Sequence, residues 1–134
     1  MNAVKSADDY KMRWKCIDKG CYLDKVEPRL WDFHDCFPNN MSMGDIDGIV
    51  EIKGNFLVVE WKGVGGKLTT GQHILLRNLT RLSDKIVAYV LWGNSQTMDV
   101  YKMRLYRLGN WEDMESNRGH VDHLFKSWAR MAQL

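Results

Sequence analysis

The chain has 134 residues, a length that suits one domain with its own hydrophobic core. Its 45% hydrophobic and 27% charged residues are typical of a globular protein and exclude collagen-like and low-complexity chains. No stretch approaches the roughly 18 apolar residues that span a bilayer, so we expect no membrane segment. The polar start, Met1 to Lys15, lacks the apolar core of a signal peptide. We therefore expect a cytoplasmic protein with reduced cysteines.

The formal net charge of +2 hides an uneven distribution of charge along the chain. Residues 1–60 contain 8 Lys or Arg and 11 Asp or Glu, whereas residues 61–134 contain 11 and 6. An acidic half beside a basic half fits a cation site next to a surface that binds a polyanion. Ordinary solvated faces would produce the same asymmetry, so charge alone does not decide between the two.

The first clear secondary structure follows an irregular segment, residues 1–43, in which Cys, Pro, Gly and Asn residues interrupt the pattern over residues 16–43. Residues 45–53 alternate as a strand, Gly54-Asn55 indicates a tight turn, and residues 56–62 alternate as a second strand. In the second strand Leu57, Val59 and Trp61 share one face, and Glu60 and Lys62 share the other. We therefore predict a β-hairpin with acids from both strands on one surface.

The rest of the chain predicts two helices and two strands. Thr69 or Thr70 can cap a helix that ends near residue 83, with an apolar stripe formed by Ile74, Leu75, Asn78, Leu79 and Leu82. Residues 86–92 are apolar enough for a central strand, and residues 98–107 alternate less regularly. A helix over about 119–132 has an apolar stripe of Val121, Leu124, Phe125, Trp128 and Met131. The order predicts a single α/β domain with a mixed central sheet and flanking helices.

Asp47, Glu60 and Lys62 are the residues whose chemistry stands out. Asp47 lies 13 positions before Glu60, and Lys62 two positions after it, so the hairpin would bring all three together. Two neighbouring carboxylates repel each other, and a divalent cation with oxygen ligands removes that cost. Such a cation activates water, and a lysine beside it offsets charge that develops on phosphorus oxygens. These groups could hydrolyse a phosphodiester, although acids on a solvated sheet face would show the same spacing.

The run from Gly44 to Gly48, followed by a turn and Val59-Glu60-Trp61-Lys62, resembles the PD-(D/E)xK nuclease superfamily. The resemblance covers about residues 44–92 and implies a restriction-endonuclease-like core. It implies that Asp47, Glu60 and the backbone carbonyl of Trp61 bind Mg²⁺ or Mn²⁺, and that Lys62 activates water for DNA cleavage. Gln72 matches a glutamine that many members place at the start of the next helix. Exonucleases, structure-specific endonucleases and junction resolvases share these residues, often in viruses and mobile elements.

Two alternatives remain for the acids of this site. Asp45 lies on the same predicted strand face as Asp47 and could replace it as the ligand, although the spacing favours Asp47. Many members of the superfamily also use an acid from an N-terminal helix, and Glu27 is the nearest candidate. Pro28 disfavours a helix there, so Glu27 is not assigned.

Four residues of the irregular segment could form a second metal site. Cys16, Cys21, His34 and Cys36 supply thiolates and an imidazole that could hold a structural Zn²⁺. Their spacing is not that of a standard finger, and buried free cysteines are common. A zinc-stabilised interaction protein is therefore one alternative function.

Basic side chains after residue 61 could line a path for DNA. Arg77 and Arg81 share a helix face, and Lys102 and Arg104 share a strand face. Any of them could equally lie on a solvated face. Trp14, Trp31 and Trp111 could stack on bases, whereas Trp92 and Trp128 suit the core and His73 suits the surface. A non-catalytic nucleic-acid-binding module with the same fold is a further alternative, and the last helix could form a homodimer seam.

Overall fold

The computed structural model describes residues 30–134, and a boundary between two compact units falls between Met43 and Gly44. Residues 30–43 contain two short 3-10 helices, Leu30–Cys36 and Pro38–Asn40, and no strand. Both helices lie within the segment that we predicted to be irregular around short elements. The second unit, residues 44–134, contains all the strands described below.

The second unit is built on one five-stranded sheet with the spatial order β1-β2-β3-β4-β5. Its strands are β1 (Gly48–Ile52), β2 (Asn55–Lys62), β3 (Ile86–Asn94), β4 (Asp99–Arg107) and β5 (Asn110–Glu115). β2 and β3 run parallel, and the other three pairs are antiparallel. A helix, α1 (Thr70–Arg81), connects the two parallel strands. The predicted α/β class with a mixed sheet and flanking helices is confirmed.

The β1–β2 hairpin forms with the predicted partners but a different turn. Lys53 and Gly54 both have positive φ, 50° and 81°, which suits a two-residue turn that follows the twist of the strands. The turn thus lies one residue earlier than Gly54-Asn55. Glu51 accepts a hydrogen bond from the Gly54 N–H at 2.7 Å, so it stabilises this turn. β1 begins at Gly48, three residues later than predicted.

β3 is the centre of the fold, as its apolar sequence predicted. Every residue from Val87 to Gly93 is buried, because both faces of the strand are covered. On one face, α1 packs on a cluster of Val58, Leu76, Ala88, Val90, Trp92 and Tyr106. On the other face, a second helix, α2 (Arg118–Ala132), packs on a cluster of Leu57, Val87, Tyr89, Leu91, Val100, Met103 and Val121.

α1 begins where predicted, but it turns a different face inward. Leu76 and Thr80 are its buried residues, whereas Ile74 and Leu75 are more than 40% exposed and Leu82 is exposed too. Of the predicted apolar stripe, Leu79 packs against the core cluster under α1, whereas the prediction was wrong for Ile74, Leu75 and Leu82. Thr80 tolerates burial because its hydroxyl donates to the Leu76 carbonyl at 2.8 Å and accepts from the Gly109 N–H at 3.3 Å.

α2 follows its predicted pattern more closely. Asn117 caps its start through a hydrogen bond from the His120 N–H, and Val121 is buried. Phe125 and Trp128 pack against the sheet, but Met131 is 64% exposed and lies outside the core. The stripe thus packs inward within this chain. In residues 30–134 no helix has the length and apolar character needed to cross a membrane.

β5 was absent from the sequence prediction, and β4 has an irregularity that explains its imperfect alternation. The β3–β4 register shifts between Trp92 and Gly93, so that Tyr101 is an extra residue. Val100 and Met103 therefore face the same core cluster although three positions separate them. β5 then pairs with β4 through a turn in which Leu108 and Gly109 have positive φ.

Candidate functional site

β2 carries the first two residues of the site on the face of the sheet that α1 covers. Because side chains alternate along a strand, Glu60 and Lys62 share this face with the buried Val58. Val59 and Trp61 pack instead against the core cluster under α2. The predicted division of β2 into two faces is confirmed.

Asp47 reaches this site from the residue before β1. Its Oδ2 accepts a hydrogen bond from the backbone N–H of Trp61 at 2.7 Å. This bond holds the Asp47 carboxyl next to Glu60, which is 6% exposed. Burial, a hydrogen bond to Asp47 and the charge of Asp47 together raise the pKa of Glu60 to about 7, while the charge of Lys62 opposes the rise. Asp45 contributes more weakly in the same direction as Asp47.

Gln72 joins the site because it lies in the first turn of α1. Thr69 caps this helix and Gln72 completes a capping box: the Thr69 oxygen accepts from the Gln72 N–H, and Gln72 Oε1 accepts from the Thr69 N–H, both at 3.1 Å. The same Oε1 accepts a hydrogen bond from Lys62 Nζ at 2.6 Å, and Gln72 Nε2 lies 3.5 Å from Glu60 Oε1. Gln72 therefore fixes the spacing between the ammonium of Lys62 and the Glu60 carboxyl.

The raised pKa of Glu60 predicts how the stability of the metal-free protein depends on pH. Below about pH 4.5 Glu60 is protonated in both the folded and the unfolded chain. As the pH rises towards 7, the unfolded chain loses this proton first, so the contribution of Glu60 to the free energy of unfolding falls by up to about 3 kcal/mol and is level above 7. Urea unfolding in EDTA at several pH values measures this loss.

Glu60→Gln is the control for that measurement, because its neutral amide has no proton to lose. The difference in unfolding free energy between wild type and Glu60→Gln should therefore change with pH only between about 4.5 and 7. Equal pH profiles for the two proteins would contradict the raised pKa. Other titrating groups, His73 among them, affect both proteins alike and cancel in the difference.

Asp47 and Glu60 are the side chains that could hold a hard cation here. In the described part of the chain no three His, Cys, Asp or Glu side chains come together as a metal site. A cation between the two carboxylates would therefore need backbone or water oxygens to complete its shell, and the predicted carbonyl of Trp61 is the backbone candidate. Oxygen donors and a strained pair of acids fit Mg²⁺ or Mn²⁺.

The predicted zinc ligands fall partly outside the described residues. Cys16 and Cys21 lie there, as does Glu27. His34 Nδ1 lies 2.9 Å from the Trp31 carbonyl oxygen, and the exposed Cys36 has its Sγ 3.8 Å from an oxygen of Asp35. The zinc site stays a prediction.

The four predicted cations do not form one path. Arg81 lies beside Gly109 at the β4–β5 turn, and the Nε of Arg77 is buried in the same half of α1, at the opposite end of β4 from Lys102. Arg104 makes two hydrogen bonds to Asp113, from Nε at 2.6 Å and from Nη2 at 3.0 Å, so its charge is balanced within the protein. Lys102 and Arg104 are the two of the four nearest the site by strand register, since Lys102 is level with Lys62 through Trp92 and Arg104 is level with Glu60 through Val90.

His73 is the residue near the site that sequence reasoning placed wrongly. It is half-buried, and its Nδ1 lies 2.6 Å from the hydroxyl of Tyr106 and 3.4 Å from Nη1 of Arg104. Arginine can only donate, so Nδ1 is an acceptor and the ring proton lies on Nε2. Burial and the charges of Arg104 and Arg77 lower the pKa of His73, which keeps the ring neutral. The sequence signal for its inward position was that it follows Gln72 in the capped first turn of α1.

Comparisons with protein-family models, curated proteins and solved structures give no match to this chain. The geometry of the site and the resemblance of its motif are therefore the observations that bear on function.

Proposed function

We propose that the protein is a metal-dependent nuclease that hydrolyses phosphodiester bonds in DNA. The observation that carries the proposal is the contact between the Asp47 and Glu60 carboxyls, with the ammonium of Lys62 fixed beside them by Gln72. Two neighbouring carboxylates repel and so destabilise the fold, unless they bind a cation or share a proton. The match of these residues to the PD-(D/E)xK motif supports the restriction-endonuclease-like assignment.

Each residue has a distinct role in this proposal. Asp47 and Glu60 would hold Mg²⁺ or Mn²⁺, which when bound polarises a phosphoryl oxygen and makes water a better nucleophile. Lys62 donates hydrogen bonds that orient the attacking water and offset charge on the phosphorus oxygens. Gln72 is a positioning residue that keeps the Lys62 ammonium in place. Water adds to phosphorus, the bond to the leaving oxygen breaks, and that oxygen takes up a proton.

The proposal is tested by cleavage of a panel of DNA substrates: linear duplex, single strand, nicked and branched DNA. Wild type should cut with Mg²⁺ or Mn²⁺ and not with EDTA. Asp47→Asn should lose activity by at least about a hundredfold, because an amide is a weaker ligand for a hard cation. The preferred substrate then separates an exonuclease from an endonuclease or a resolvase.

Asp84→Asn is the matched control, because Asp84 is an exposed acid at the turn after α1 and lies outside the site. It should cut like wild type. Cleavage that persists in EDTA, or equal rates for wild type and Asp47→Asn, would overturn the nuclease assignment. Binding of DNA without turnover would favour a non-catalytic module with the same fold.

A further inference from the structure

A cleft of about 540 Å³ opens on the α1 face of the sheet, next to the carboxyl pair but separate from it. Its floor is β3, β4 and β5, and its rim is the loop before α1 and the first turn of that helix. It is lined by Gly66, Lys67, Leu68, Thr69, Thr70, His73, Trp92, Lys102, Arg104 and Trp111. This volume is within the range of sites that hold a small ligand.

The cleft has a positive electrostatic character. None of the described residues that line it is acidic, and three are cationic. Asp113 is ion-paired with Arg104 and its charge also acts on Lys102, so among the described lining residues Lys67 and Lys102 are the cations without an ion pair. Lys67 is exposed, and Lys102 Nζ lies 4.5 Å from the centre of the Trp92 ring. The two ammonium groups favour an anion such as a phosphate.

The far wall of the cleft is an aromatic surface held in a fixed orientation. Trp111 is 48% exposed, and the His73 ring meets it edge-on with 4.5 Å between ring centres. His73 is itself fixed by the hydroxyl of the fully buried Tyr106. A half-exposed indole ring whose orientation is fixed by His73 is suited to stacking on a flat apolar ring.

The loop that forms the rim brings the cleft next to Lys62. The indole N–H of Trp92 donates to the Gly66 carbonyl at 2.8 Å, which fixes the loop over the sheet. A Cβ built on Gly66 would lie 3.4 Å from the Cβ of Lys62. Lys62 and Lys102 are on the first and third of three adjacent strands, so their backbones are about 10 Å apart. A ligand in the cleft is therefore a close neighbour of a phosphate at Lys62.

We propose that this cleft binds one unpaired nucleotide next to the bond that is cut, with its base on Trp111 and its phosphate between Lys67 and Lys102. The preferred substrate would then be DNA with an unpaired nucleotide at an end, a flap or a branch. This inference rests on the proposed nuclease function. A base within a continuous duplex is stacked between its neighbours and does not reach a tryptophan face without leaving the stack. A continuous duplex thus leaves the cleft unused.

The test is a binding measurement in EDTA, where catalysis plays no part. Fluorescence anisotropy gives the Kd of the full chain for a labelled blunt duplex, for the same duplex with a short oligothymidine tail, and for one with an abasic tail. The thymidine tail should bind about tenfold or more tighter than the abasic tail, because both have the same phosphates and only one has bases. Trp111→Leu should remove this difference, and Trp111→Phe should keep it.

Lys67→Met and Lys102→Met should weaken binding of both tails alike and reduce the salt dependence of the Kd. Phe56→Leu is the matched control, since Phe56 is a partly exposed aromatic residue near the start of β2, at the end of that strand opposite Lys62. It should bind like wild type. A thermal melt of each variant shows that it is folded.

Equal affinity for the thymidine and abasic tails, or equal behaviour of Trp111→Leu and Phe56→Leu, would overturn the proposal. Displacement of the tailed duplex by an equal concentration of free thymidine monophosphate would overturn it as well, because the cleft would then serve a free nucleotide. Metal-dependent cleavage without tail preference would leave the nuclease assignment intact and reject this cleft. Tail preference without cleavage would support the cleft as a nucleotide site and reject the nuclease assignment.

Discussion

Lys62→Met should slow metal-dependent DNA cleavage by about 10²- to 10³-fold. Methionine keeps much of the length of lysine but has no charge and no hydrogen to donate. The attacking water and the phosphorus oxygens would lose their cationic partner, and Gln72 Oε1 would lose its 2.6 Å donor. Single-turnover rates on the preferred substrate measure the chemical step directly, without a contribution from product release.

Lys126→Met is the matched control for this substitution, because Lys126 is an exposed residue of α2, on the other face of the sheet. It should cleave at the wild-type rate. A Lys62→Met protein that is folded, binds DNA and still cleaves like Lys126→Met would show that the lysine has no part in catalysis.

Gly93→Ala should reduce the free energy of unfolding by about 4 kcal/mol or more, a loss outside the usual range for one methyl group. A Cβ at this position would lie 1.9 Å from the carbonyl oxygen of Asp99 and 3.1 Å from the Trp61 ring. The oxygen belongs to the backbone of the neighbouring strand, at the register shift between β3 and β4, so it does not rotate away as a side chain would. Relief requires distorting bond angles or separating two central strands.

Urea unfolding followed by tryptophan fluorescence measures the loss. Gly71→Ala is a control with the opposite expected sign: Gly71 is an exposed residue of α1 with nothing within 4 Å of an added Cβ. Alanine there should raise stability by about 0.5–1 kcal/mol, since it favours the helix. Similar urea midpoints for Gly93→Ala and wild type would contradict the prediction. They would mean that β3 and β4 adjust to the added Cβ at little cost in stability.

The hairpin could be predicted because apolar and polar residues alternate at the end of β2, and the central strand because its sequence is apolar throughout. Glu60 and Lys62 alternate with Val59 and Trp61, and only one arrangement buries the apolar set. The resemblance of the motif placed Gln72 at the start of the helix, and the structure gives the local reason: Thr69 precedes it by three residues, the spacing of a capping box. The contact between Asp47 and the Trp61 N–H was beyond prediction, since it depends on where β1 begins.

The inward face of α1 could not be found from apolar residues alone. The helix is oriented by its first turn, where Gln72 points at Lys62, and this orientation turns His73 and Thr80 to the sheet. Both are polar residues that hydrogen bonds satisfy inside the fold, which a hydrophobic pattern does not register. Ile74 and Leu75 are then left exposed.

β5 was missed for a different reason. Its sequence, Asn110–Glu115, contains three acids and is largely exposed, so it has little of the β-branched and apolar character of a typical strand. Pairing with β4 decides its structure, and the two hydrogen bonds between Arg104 and Asp113 join the strands side to side. β5 is a strand because it pairs with β4, and a local sequence pattern does not reveal this pairing.

The double use of Gln72 links the proposed catalytic lysine, Lys62, to local folding. One amide oxygen both closes the start of α1 and holds Lys62, so the first helical turn and the ordered ammonium form or are lost together. Helix ends open at a much lower free energy than whole domains do. Heating should therefore release the lysine by fraying of that turn while the sheet is still intact. Loss of activity would then precede loss of structure, and it would report the stability of a single helical turn.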